Sequence, residues 1–207
     1  MKYEIRNKKN KKINLFPIFT FHISYFIFLL FASCESPYSP KPRAFFRIDL
    51  PEKKYQEIDM DCPFVFEIPV YSKIISDDNP NTENCWFNID FPKFHGRLHL
   101  SYKPVNNNIG KYLEDSRTLV YKHTVRATDI REEIIRDDSA KVYGLIYDIK
   151  GNVASSLQFY LTDSTHHFLR ASLYFNAAPN SDSIAPVLNF VREDIYKMIE
   201  SFEWKKK

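Results

Sequence analysis

Glycine is scarce in this chain of 207 residues: Gly96, Gly110, Gly144 and Gly151 are the four present. They are too scattered to build a Gly-rich loop that cradles phosphate. No Gly-x-Ser-x-Gly elbow, His-Glu-x-x-His pair or Ser-x-x-Lys string occurs, so the common hydrolase signatures are missing. Internal repeats are absent as well. Excess positive charge is lacking over most of the length. The formal net charge is +3, but Lys2, Arg6, Lys8, Lys9, Lys11 and Lys12 against Glu4 place +5 before residue 13, leaving about −2 for the remainder. A mildly acidic domain has no basic stripe for neutralising phosphates, which argues against a nucleic-acid partner.

What is present is enough for one core. Apolar residues make up 44% and aromatics 16%, which excludes wholesale disorder, and the length fits a single domain once a processing segment is set aside. That segment is legible at the start. Residues 2–12 are basic and polar, residues 13–31 are dominated by Phe, Ile and Leu, and Phe31-Ala32-Ser33-Cys34 follows. This is the n-, h- and c-region order of a secretory signal. Small residues directly before a cysteine look like the lipobox of bacterial lipoproteins, with Phe31 where Leu is usual, so residues 1–33 read as a signal peptide and Cys34 as the lipidation site. The competing reading is an uncleaved anchor, since about 19 mostly apolar residues just span a bilayer. Pro17, His22, Thr20 and Ser24 weaken a permanent span, and the charge asymmetry with a well-placed cysteine favours lipidation. Residues 34–43 carry Pro37, Pro40 and Pro42 and read as an extended, semi-rigid tether of about 25–30 Å. Residues 44–207 form the expected single globular domain.

Within that domain apolar residues alternate over Phe64–Ile68, Phe87–Phe91 and Leu98–Tyr102, which is strand periodicity. Between Ile109 and Ile134 they recur at spacings of three and four, which predicts one long helix or two abutting ones. Val142–Ile149, Ser156–Leu161 and Phe168–Phe175, separated by turns at Lys150-Gly151-Asn152 and Asp163-Ser164-Thr165, predict an antiparallel meander. Ile184, Val187, Leu188, Val191, Ile195, Met198, Ile199 and Phe202 form an apolar stripe, with Pro186 in the first turn and Arg192, Glu193, Asp194 and Lys197 on a solvated face. The expected fold class is α+β, an antiparallel sheet covered by helices, similar to a PsbP-like α/β/α sandwich. That likeness is a fold-level analogy and says little about function.

After Cys34 two cysteines remain, Cys62 and Cys85, 23 positions apart. An even pair in an oxidising compartment suggests a disulfide, with two free thiols or a metal site as alternatives. Closing a loop of that length contributes about 3 kcal/mol on chain-entropy grounds. A metal set with His95 and His99 is disfavoured, because positions four apart on a strand lie about 13 Å apart. His123, His166 and His167 read as surface polar groups. Trp86, Phe87, Phe91, Phe94 and Tyr102 read as core rather than as a carbohydrate platform. The densest polar stretch, Glu114 to Arg117 and Tyr121 to His123, is mostly explained by helical ion pairing. Its functional reading is a patch of Arg117, Lys122 and His123 offered to a partner or an anionic ligand.

Several strings resemble one known family: Pro42 to Pro51 (PRAFFRIDLP), Cys85 to Pro92 (CWFNIDFP), His99 to Pro104 (HLSYKP), Glu114 to Arg117 with Tyr121 to Thr124, Tyr147 to Asn152 (YDIKGN) and Leu161 to Thr165 (LTDST). The sequence is similar to the gliding motility lipoprotein GldD family across the mature chain. That resemblance implies a cell-envelope lipoprotein required for gliding, a process tied to the type IX secretion system that exports adhesins, and it supplies no catalytic residues. The resulting expectation is a noncatalytic protein without cofactor or metal, held on the membrane by acyl chains on Cys34, with its domain facing the periplasm. Its expected partners are other gliding or type IX secretion proteins of the envelope, and the alternative is a module that binds a small ligand or glycan. Mass spectrometry of the membrane-extracted protein should find an acylated Cys34 terminus; an unmodified Met1 terminus refutes the lipoprotein assignment.

Overall fold

A computed structural model describes residues 47–77 and 80–206. The signal peptide, Cys34 and the tether lie outside these residues. Ten strands and two α-helices follow in the order β1 (Tyr55–Asp59), β2 (Phe64–Pro69), β3 (Lys73–Ser76), β4 (Phe87–Phe91), β5 (Gly96–Pro104), α1 (Ile109–Tyr121), β6 (Ala127–Asp137), β7 (Val142–Gly151), β8 (Ser155–Thr162), β9 (His167–Phe175), α2 (Ser181–Glu200) and β10 (Glu203–Trp204). Seven strands form one sheet in the order β3-β4-β5-β9-β8-β7-β6, and β1-β2-β10 form a second. Every recorded pairing is antiparallel. The fold is α+β.

Alternation fixes what each sheet face does. Odd-numbered residues on β4, β8 and β9 and even-numbered ones on β5 and β7 point to the first face, where Phe87, Ile89, Phe91, Leu98, Leu100, Ile146, Phe159 and Leu173 are buried. Against them pack Phe64, Phe66 and Ile68 of β2 and Val191, Ile195, Met198 and Ile199 of α2, giving one contiguous core. The centre of that core is aromatic. Phe66 stacks on Phe87 at 6.2 Å, Phe64 on Phe202 at 5.5 Å, and Phe202 meets Trp204 edge-on at 4.7 Å. On the second face α1 covers a smaller cluster of Val120, Tyr147, Ile149 and Val153. Gly144 allows β7 and β8 to close up: a Cβ there would meet the Tyr160 carbonyl oxygen at 1.9 Å.

The helices differ from expectation in two places. The periodicity over residues 109–134 does not describe one long helix, because the chain turns at Lys122–Val125 and continues as β6. Ile130 and Ile134 are four apart, a spacing that one helix face and one strand face both satisfy. Helix α2 begins at Ser181, capped by the Asn180 side chain accepting from the Ser183 N–H at 3.2 Å. Pro186 therefore sits inside the helix rather than in its first turn. Asp194 does not share the solvated face of Glu193 either. It lies on the stripe between Val191 and Ile195 and is 1% exposed.

That burial is satisfied by three donors from outside the helix. Asp194 accepts from Lys53 Nζ at 2.8 Å, from Tyr55 Oη at 2.9 Å and from Tyr71 Oη. Burial, then the bond to Asp194, holds both phenols well above their ordinary pKa. Lys53 also donates to the Phe190 carbonyl at 2.6 Å and lies 3.9 Å over the Phe190 ring. The cluster joins the start of β1 and the loop after β2 to α2. Cys62 and Cys85, joined with Cα atoms 5.7 Å apart, tie the β1–β2 connection to the approach to β4. Among the described residues no helix is long and apolar enough to cross a membrane. Asp194→Ala should cost about 3–5 kcal/mol by removing the shared acceptor of Tyr55 and Tyr71 and leaving Lys53 only the exposed Glu193 carboxylate, 3.3 Å away, as counter-ion, whereas Glu193→Ala, on that exposed carboxylate, should cost under about 1 kcal/mol; paired denaturation curves check both.

Candidate functional site

The second face of the large sheet carries the chemistry. Cross-strand pairing places Asn88, His99, Ser172, Gln158, Tyr147 and Glu132 in one row running from β4 to β6. The adjacent row on the same face holds Ser101, Arg170, Tyr160, Leu145 and Ile134. The first face is dry; this one is polar and largely sheltered. Asn88, Gln158 and Ser172 are buried, as is Ser116 of α1 above the sheet.

Arg170 sits near the middle of the face and is half-buried. Its Nη2 donates to Gln158 Oε1 at 2.5 Å, and Ser172 Oγ approaches the same oxygen at 3.4 Å. No acidic residue among those described lies within ion-pair distance of the guanidinium. Burial pulls its pKa below the ordinary arginine value, opposed by Tyr174 and Tyr147 nearby. Burial is also the main reason that the Tyr147 phenol rises to about 12. The Gln158 Nε2 group and the Asn88 Oδ1 atom are buried with no hydrogen-bond partner among the described residues. Beside these rows, a cavity of about 470 Å³ is lined by Asp90, Arg97, His95, His99, Tyr174 and Asn176. Arg97 is engaged by Asp90, and burial, then the Arg97 charge, lowers the His99 pKa.

The structure divides the three residues of the helical patch. Arg117 is exposed, 4.0 Å from Glu114 and stacked 4.9 Å over the Tyr121 ring, so local ion pairing accounts for it. Lys122 is exposed. His123 is half-buried at the turn after α1, and burial followed by the Arg170 charge lowers its pKa. Among the described residues no group of three or more His, Cys, Asp or Glu converges as a metal ligand set.

The family model described as "Gliding motility lipoprotein GldD" matches residues 35–204. The chain belongs to the GldD family of gliding motility lipoproteins. It is thereby a membrane-anchored protein of the cell envelope. No curated protein matches the chain. Among solved structures it is similar to the solution structure of cyanobacterial PsbP from Synechocystis sp. PCC 6803, at 11% identity over 80% of this chain and 99% of that one, with a TM-score of 0.47.

In this GldD-family chain the candidate site includes residues that pattern reading passes over. Arg170 and Gln158 fall at the polar positions of alternating strands, where solvated side chains are the ordinary expectation; that α1 roofs this face is visible only in three dimensions. His167 is a correction of the opposite kind. Rather than a surface group, it is buried, hydrogen-bonded through Nδ1 to Tyr102 Oη at 2.8 Å and stacked 4.9 Å from Trp204. The Asp163 carboxylate organises the turn that leads to it. Burial opposes its ionisation, but N–H groups of His166, His167 and Thr165 and the Thr165 hydroxyl hold its pKa down at about 2. A carboxyl with a depressed folded pKa stabilises the fold above its unfolded value and loses that contribution as pH falls through the folded one. Asp163→Ala should therefore cost about 2 kcal/mol at pH 7, and the gap from the native protein should narrow between about pH 4 and pH 2 when unfolding is followed across that range.

Proposed function

We propose that this GldD-family lipoprotein is a noncatalytic component of the envelope that supports the gliding and type IX secretion machinery through protein contacts, with its domain facing the periplasm. The observation that carries the reading is the family match, which spans the tether and the domain through Trp204. Three features of the chain support it. Acylation of Cys34 would anchor the chain, with the three prolines of residues 34–43 between the lipid and the domain. The domain is braced by the Cys62–Cys85 bond and by the partners of Asp194. Val125 and Ile134, 89% and 78% exposed, stand on the turn before β6 and on that edge strand, apolar side chains left outside both cores.

The test is crosslinking in living cells followed by pulldown of the tagged full chain, native against Cys34→Ala. Known gliding or type IX secretion components should be captured with the native protein and lost with the variant. Capture of none of them by either form overturns the reading.

A further inference from the structure

We propose that the Arg170 guanidinium and the Gln158 amide form a binding site for an oxyanion, a carboxylate or phosphate group, on the second face of the large sheet. The inference is independent of the contacts proposed above. Three observations converge on it. Arg170 is a half-buried cation with no acidic neighbour within ion-pair distance among the described residues, and its one recorded side-chain bond, to Gln158, leaves most of its five N–H donors uncommitted. A sheltered charge left unpaired is costly, and the guanidinium fork matches a two-oxygen anion. Gln158 is 1% exposed, and because its Oε1 is taken by Arg170, its unpartnered Nε2 adds a second donor beside the fork.

The surroundings are also donors. Tyr160 is the cross-strand partner of Arg170 and Tyr147 that of Gln158, so two phenols flank the pair on this face. The acids on this face are engaged elsewhere: Glu132, three strands away on β6, accepts from the Tyr121 hydroxyl at 3.1 Å, and Asp90, two strands away on β4, pairs with Arg97.

Gln158→Glu puts a carboxylate where the amide oxygen already meets Arg170, supplying the counter-ion from within the chain. The experiment is an NMR titration of the full-length, 15N-labelled protein in detergent, following arginine side-chain N–H resonances. Sodium acetate and inorganic phosphate are added separately at constant ionic strength. A saturable shift of the Arg170 resonance is expected with at least one of them, and which of the two produces it assigns the anion as carboxylate or phosphate. Arg170→Met, with folding confirmed by circular dichroism, should weaken binding by about tenfold or more, a loss set by one strong ion pair. Gln158→Glu should abolish the response and melt higher than native protein in anion-free buffer, while Arg117→Ala should bind as native. Absence of a saturable shift with either anion, or native binding by Gln158→Glu, overturns the proposal.

Discussion

A single buried carboxylate decides how the layers of this domain meet. Asp194 occupies a position on α2 that helical geometry forces onto the apolar stripe, between Val191 and Ile195. Left alone there, an ionised carboxylate would be prohibitive. Lys53, Tyr55 and Tyr71 resolve the cost by arriving from two different stretches of chain, so satisfying the charge and docking α2 on the small sheet are one event. Apolar packing alone would let the helix slide along a surface of similar phenyl rings; a carboxylate with directed donors fixes its position and rotation.

With α2 placed, the first face of the large sheet is fully spent. Phe64, Phe66 and Phe202 fill the space between β2, α2 and the sheet, and the aromatic contacts continue outward through Trp204 to His167. The second face is under no such demand. Its apolar cluster lies where Val120 meets Tyr147 and Ile149, and apart from the buried Phe168 the same face from β8 to β4 is built mainly of amides, hydroxyls, imidazole, guanidinium and the Asp90 carboxylate. One sheet thus separates a dry side from a mostly polar one.

Much of this was readable from residue order. The meander from Val142 to Phe175, the early strands and the stripe of α2 each have a long, unambiguous period, and the structure has them close to the expected limits. Elements at the edges were not readable, for a common reason. Strands β1 and β3 are largely exposed, and β6 places polar or charged residues on both faces, so none leaves a clean alternation. Asp194 was hidden by its neighbours: in the run Arg192-Glu193-Asp194 three charges look alike, and only the partners brought by Lys53, Tyr55 and Tyr71 distinguish the buried one. Arg170 and Gln158 were hidden likewise, since a polar residue at every second strand position signals solvent unless something covers that face.

What covers it is held more lightly than the rest of the domain. Helix α1 fully buries Ser116 and Val120, while α2 buries Val191, Asp194, Ile195, Met198 and Ile199. The Asn108 side chain at the start of α1 caps no helical N–H, whereas Asn180 does so for α2, and Asn152 accepts from the Ser181 N–H at 2.9 Å in addition. Fewer buried apolar contacts and a weaker cap place α1 at the low end of the local stability range. The polar face therefore lies beneath the helix that costs least to displace, while the rigid side of the domain is carried by α2. In this domain the firmly packed face and the chemically available face belong to the same seven strands, and the pleat of those strands keeps them apart.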